Sequence, residues 1–216
     1  MKTVIIEGWR FIPHSYAMVN QHLCLELLKR PGIQLFHRDV PYFNPAWRPI
    51  ANLWSPEDEA KLRSIPTPGP DQRADVLLRI GFPHFFHRDP LATRTFTWGT
   101  TEFGMVQPSA IGSGRPTQEA LSSTESTIIA CSAWAAKGFL NSGAPPDKVV
   151  VTPCGVDPDV FKPAEPGERE ALRKQYGWEG RFVVLNVSAM TGNKGIHLLL
   201  KAVAALSDRF PQLTVV

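Results

Sequence analysis

Short apolar runs bounded by glycine or proline recur along this chain. They alternate with stretches whose apolar positions follow helical spacing. Thr3 to Glu7 is a β-branched apolar run ending at Gly8, which predicts a buried strand. Val19, Leu23, Leu27 and Leu28 then recur at helical spacing behind Ser15, a candidate N-cap, and Pro31-Gly32 stops the helix. Ile33 to Val40 returns to strand, which makes a right-handed parallel βαβ unit. Ser55 followed by Pro56, Glu57 and Asp58 predicts a short helix to about Ser64. Strands are expected at 74–80, 94–98, 127–131 and 149–152, with helices at 117–123 and 132–140. This alternation predicts an α/β fold: an open, mostly parallel sheet with helices on both faces.

Pro163 to Gly167 reads as a linker. A helix at 168–176, a strand at 181–188 and an amphipathic helix from Gly195 to Arg209 follow, and a strand opens at Leu213. Ile196, Leu199, Leu200, Val203 and Leu206 share one face of that helix. One helix between two parallel strands cannot cover both faces of a sheet. The stretch from Arg181 onward is therefore expected to belong to a sheet that continues beyond these 216 residues, and the chain to be part of a longer protein.

Composition narrows this only a little. Hydrophobic residues make up 43% and the net charge is +3, with lysines and arginines scattered. That distribution gives no reason to expect a nucleic-acid partner. No apolar run reaches the length of a membrane span, and MKTVIIEGWR lacks a small-residue cleavage site and reads as the first strand. Cys24, Cys131 and Cys154 match no zinc spacing and read as free, mostly buried thiols of a reducing, cytoplasmic compartment. Many of the 20 prolines fall between Phe43 and Pro116, where ordered loops are expected.

Three segments carry more. KVVVTPCGVDPDVFKP joins a strand to a Pro-Cys-Gly turn and then to Val156, Asp157 and Phe161. FVVLNVSAMTGNKGIHLLLKAVAAL is a strand, a loop ending in Lys194-Gly195, and a helix. FTWGTTEFG places Trp98 and Glu102 behind another strand. Together these resemble the retaining, family 4-type GT-B glycosyltransferases (glycosyl transferases group 1). In that family a Val-Asp-x-x-x-Phe segment crosses from the acceptor domain to the nucleotide-sugar domain. The resemblance implies a Rossmann-like acceptor-binding domain over 1–159, then a linker and the first βαβ of a truncated, Rossmann-like nucleotide-sugar domain over 160–216. It implies a hexosyltransferase acting on a glycan, lipid or small-molecule acceptor, with polysaccharide biosynthesis the common setting. Such an enzyme transfers sugar with retention in the interdomain cleft, needs no cofactor or metal besides the nucleotide-sugar co-substrate, and sits at the inner face of the membrane if it meets membrane at all. The fragment alone is expected to be inactive.

The same resemblance assigns roles. Lys194 falls on the family's diphosphate-contacting lysine, and a lysine before a helix N-terminus adds a point charge where backbone N–H groups already favour phosphate. Gly195, Asn193 and Ser15 join it as donor contacts. By the likeness of FTWGTTEFG, Glu102 is a candidate acid–base group and Trp98 a candidate acceptor contact. By their place in loops at the ligand end of the sheet, His14 is the second acid–base candidate and Trp9, Arg10 and His84 are further acceptor candidates, with His87 and Phe103 nearby. Asp157 is expected to fix its turn and Phe161 to pack the start of the linker. Two departures stand out. Ser15-Tyr16 replaces the family's Gly-Gly, and no arginine stands at Ser188 or Ala189, where Thr191, Asn193 or a residue beyond Val216 would have to substitute. These leave two other readings open: a catalytically inactive module that binds glycan or nucleotide sugar, and a nucleotide-sugar epimerase with the same two-domain plan.

Overall fold

The computed structural model describes residues 1–188, 190 and 192–216, without the side chain of Asn193. The chain forms two compact units, Met1–Gly155 and Val156–Val216.

The first unit is built on a six-stranded sheet in the order β2-β1-β3-β4-β5-β6. Its strands are β1 (Lys2–Gly8), β2 (Ile33–Asp39), β3 (Ala74–Ile80), β4 (Ala92–Gly99), β5 (Thr127–Ala130) and β6 (Val149–Val151). Every neighbouring pair is parallel. The register sorts side chains into two faces, because alternate residues of a strand point to opposite sides. Ile6, Leu78 and Phe96 are aligned on one face, and Ile5, Leu77 and Thr95 on the other.

On the first face, α1 (Ser15–Leu28) and α2 (Pro56–Ser64) enclose a core that includes Ile6, Ala17, Cys24, Leu62, Leu78 and Ile80. On the second, α3 (Thr117–Ser122) and α4 (Ala133–Asn141) pack Leu121, Ala135 and Phe139 against Ile128 and Ala130. Ser132 caps α4 by accepting from the Ala135 amide at 3.1 Å. Ser55 caps α2 in the same way through Asp58.

No helix lies between β3 and β4. The connecting loop 81–91 instead folds over the second face, where Glu7, Arg79 and Thr97 stand in register. Arg79 bonds Glu7 and the His87 carbonyl, at 3.1 and 2.6 Å. Thr97 donates to the Phe85 carbonyl at 2.7 Å. Polar side chains that would otherwise be stranded under the loop thus hold it down.

The second unit contains α5 (Glu168–Gln175), β7 (Phe182–Val184), α6 (Ile196–Leu206) and β8 (Leu213–Val215), with β7 and β8 parallel. β7 is shorter than the 181–188 strand expected, because only 182–184 have a partner in β8. None of the described residues of this unit is buried, so the apolar face of α6 stays accessible, with Leu200 51% exposed. Asp157 accepts from the Asp159 amide at 2.9 Å and fixes its turn as expected. Phe161 does not pack: it is 72% exposed. Among the cysteines only Cys24 is fully buried, and Cys154 is exposed. Burial pushes the Cys24 thiol up to about 12, so it behaves as an inert apolar side chain.

Candidate functional site

β1 and β3 are neighbours in space, although α1 and β2 come between them in the chain. Connections therefore leave β1 toward one edge of the sheet and β3 toward the other. In open α/β sheets such a reversal leaves a crevice beyond the carboxyl ends of the strands. Here the segments after β1, β3 and β4 all line one hollow of about 440 Å³.

Its floor is aromatic. Trp9 is 1% exposed and donates its indole N–H to the Pro41 carbonyl at 2.9 Å. The His14 and Trp47 rings meet Trp9 edge-on, at 5.1 and 5.6 Å. Phe43, Tyr16 and Phe82 complete this side.

His14, not Ser15, caps α1. Its Nδ1 accepts from the Tyr16 amide at 3.2 Å, and Ser15 is the first helical residue, exposed at the edge of the hollow. A ring whose Nδ1 accepts carries its neutral-form proton on Nε2. Burial lowers the His14 pKa, so the neutral form prevails at pH 7.

His84 is 2% exposed. Its backbone is pinned by two bonds of 2.8 Å, from its amide to Ala110 and from the Gly112 amide to its carbonyl. The ring contacts Tyr16, Phe82, Phe86 and Phe139. Nδ1 is buried and has no hydrogen-bond partner among the described residues. Burial drives the pKa down to about 4, against the opposing pull of the Gly81 backbone, so this imidazole is also neutral.

Glu102 stands at the exposed rim, beside Phe103. The segment before it is tightly held. Trp134 donates to the Thr101 carbonyl at 3.2 Å. Gly138 lets Thr101 approach so closely that an added Cβ would lie 2.0 Å from its hydroxyl oxygen.

The hollow therefore gathers Trp9, His14, Ser15, His84, Glu102 and Phe103, but not every residue expected there. Arg10 is a correction. Its Nε and Nη2 bond both oxygens of Asp39, and its Nη1 donates to the Leu62 carbonyl at 2.7 Å, so the guanidinium faces into the fold. Burial disfavours the Asp39 charge, but Arg10 and His37 outweigh it and hold the carboxyl well below the usual range. Trp98 is likewise core, 9% exposed and edge-on to Tyr16 at 5.1 Å. His87 is tied to Arg79. Sequence reasoning placed Tyr16 here only as a replacement for a glycine, and it missed Phe43 and Trp47. The last two lie in a proline-rich loop without periodicity, where nothing but aromatic content signals a role.

In the second unit Lys194 ends a 3-10 turn, Gly192–Lys194, and is exposed. Gly195, with φ of 68°, is the N-cap of α6, and no side-chain cap bond is made there among the described residues. A helix start of this kind offers backbone N–H groups to an anion. Ala189, Thr191 and the side chain of Asn193 lie outside what the structure describes.

Among the described residues, no cluster of three His, Cys, Asp or Glu is placed to hold a metal, and no helix is long and apolar enough to cross a membrane.

No family model matches the chain. Over 71 residues it is 41% identical to a D-inositol 3-phosphate glycosyltransferase of Stackebrandtia nassauensis, a match covering 32% of this chain and 15% of that protein. Crystal structures of Anabaena Alr3699/HepE, in complex with UDP and glucose and with UDP-glucose, match all of this chain and 60% of theirs. The TM-score is 0.63 at 15% identity in both. The chain thus spans about 60% of the solved structures it matches and a smaller share of the curated relative. The fold is α/β with a parallel six-stranded sheet, and it is shared with those HepE structures.

Proposed function

We propose that this chain belongs to a retaining glycosyltransferase that takes a hexose from a nucleotide sugar, with UDP-glucose the first donor to test. The observation that carries this reading is the hollow at the β1/β3 reversal, within a GT-B-type fold. The acceptor binds in the hollow of the first unit. The donor diphosphate binds at the start of α6, where Lys194 opposes the charge that grows on it as the sugar leaves. The acceptor hydroxyl oxygen bonds to the anomeric carbon, and the bond from that carbon to the diphosphate oxygen breaks. The hydroxyl proton leaves with the diphosphate. Glu102 and His14, both on the hollow, orient the hydroxyl.

A second reading, ligand binding without transfer, draws support from Ser15 and Tyr16. Their side chains occupy the hollow's edge where a Gly-Gly pair would leave open backbone.

The test is UDP binding to the protein encoded by the whole gene, by calorimetry, with and without Lys194→Ala. Clear loss of affinity in the variant supports the donor site. Equal affinity overturns it.

A further inference from the structure

The lining of the hollow is nearly uncharged. Among the described residues no lysine or arginine lines it, and its one acidic residue is Glu102. Its two histidines are neutral at pH 7, so they supply no cation either. Arg48, beside Trp47, lines an adjoining hollow instead, where its Nη1 donates to the Pro45 and Trp47 carbonyls at 2.6 and 2.7 Å. A phosphate placed in the first hollow would lose its hydration without a charged partner in that hollow's own lining.

What the hollow does offer is aromatic surface: Trp47, half-buried, and Phe43, 56% exposed, stand on its wall, and the buried Trp9 backs Trp47 edge-on at 85°. A volume of about 440 Å³ suits one or two rings.

We propose that this hollow binds an uncharged, hydroxyl-bearing acceptor with a flat apolar ring, of the aryl-glycoside class, and discriminates against phosphorylated polyols. The ring stacks against Trp47 and Phe43, the accessible aromatic faces of the hollow. This rests on the reading of the hollow as the acceptor site.

The test needs no donor, so its failure is distinguishable from failure of the donor site. Calorimetry on the 216-residue chain compares phenyl β-glucoside, methyl β-glucoside, inositol and inositol 3-phosphate. The phenyl glycoside is expected to bind about tenfold more tightly than the methyl one, as aromatic stacking would give. Inositol 3-phosphate is expected to bind no better than inositol. Trp47→Ala should abolish the phenyl preference. Phe43→Ala, at a position 56% exposed, should reduce it. Equal affinity of the two glucosides, preference for the phosphate, no binding of the phenyl glycoside, or unchanged binding in both variants would overturn the proposal.

Discussion

The imidazole of His84 lies over Gly99 so closely that a Cβ at Gly99 would stand 2.8 Å from His84 Cε1 and 3.0 Å from Phe139 Cζ. The last residue of β4 must therefore lack a side chain if the His84 ring is to keep its place beside the hollow. Gly99→Ala should push the ring out of place or strain β4. It is expected to cost about 1–3 kcal/mol, the usual range for overpacking a core. Urea denaturation measures the loss, and phenyl β-glucoside binding should fall with it.

His84 also predicts a pH dependence. Its folded pKa, about 4, lies below the ordinary 6.5. Between those values the unfolded chain binds the proton and the folded one does not, so stability rises with pH. The contribution is complete above about pH 6.5 and is lost progressively as pH falls toward 4, with a slope of at most about 1.4 kcal/mol per pH unit. His37, buried and shifted in the same direction, adds to it. His84→Gln should flatten the melting-temperature profile between pH 4 and 6.5 by its share. An unchanged profile would show that His84 is protonated without penalty.

Arg10 is a positional test of the fold. Its guanidinium is buried, while the Asp39 side chain is 55% exposed, so water can partly resolvate the carboxylate when the partner is lost. Arg10→Ala is expected to cost about 2–3 kcal/mol, less than a fully buried pair. Arg10→Lys should recover only part, because an ammonium cannot make the two-pronged contact. Ligand affinity in the fraction that remains folded should not change, since Arg10 does not face the hollow. A specific loss of affinity at unchanged stability would contradict that.

Much of the fold was legible because strand boundaries coincide with glycine and proline. Gly8, Pro31-Gly32 and Gly81 punctuate β1, α1 and β3 where the structure ends them. The amphipathic pattern of α6 and the caps at Ser55 and Ser132 were readable for the same local reasons. The site was harder. Position in the loop after β1 identified Trp9 and Arg10 together. Which way each points depends on Asp39, a partner distant in the chain, and on the Pro41 carbonyl. Trp98 was misplaced because alternation along β4 tells that it shares a face with Phe96, but not that Tyr16 closes over it. The helix-free crossover at 81–91 has no sequence signature beyond prolines, since Arg79 and Thr97 hold it through long-range bonds.

The donor site predicts a separable effect. Lys194 is exposed, so Lys194→Ala should leave the melting temperature unchanged. UDP affinity should drop roughly tenfold, in line with about 1.5 kcal/mol for a charge-assisted contact. Calorimetry and a melt on the same preparations separate the two.

The most direct measurement follows the sugar itself. The protein encoded by the whole gene is mixed with UDP-glucose and phenyl β-glucoside, and the mixture is followed by proton NMR. We predict one UDP released for each new α-linked disaccharide. A β-linked product would contradict retention. UDP-glucose converted to its epimer without UDP release, or left intact while the acceptor binds, would contradict the assignment as a transferase.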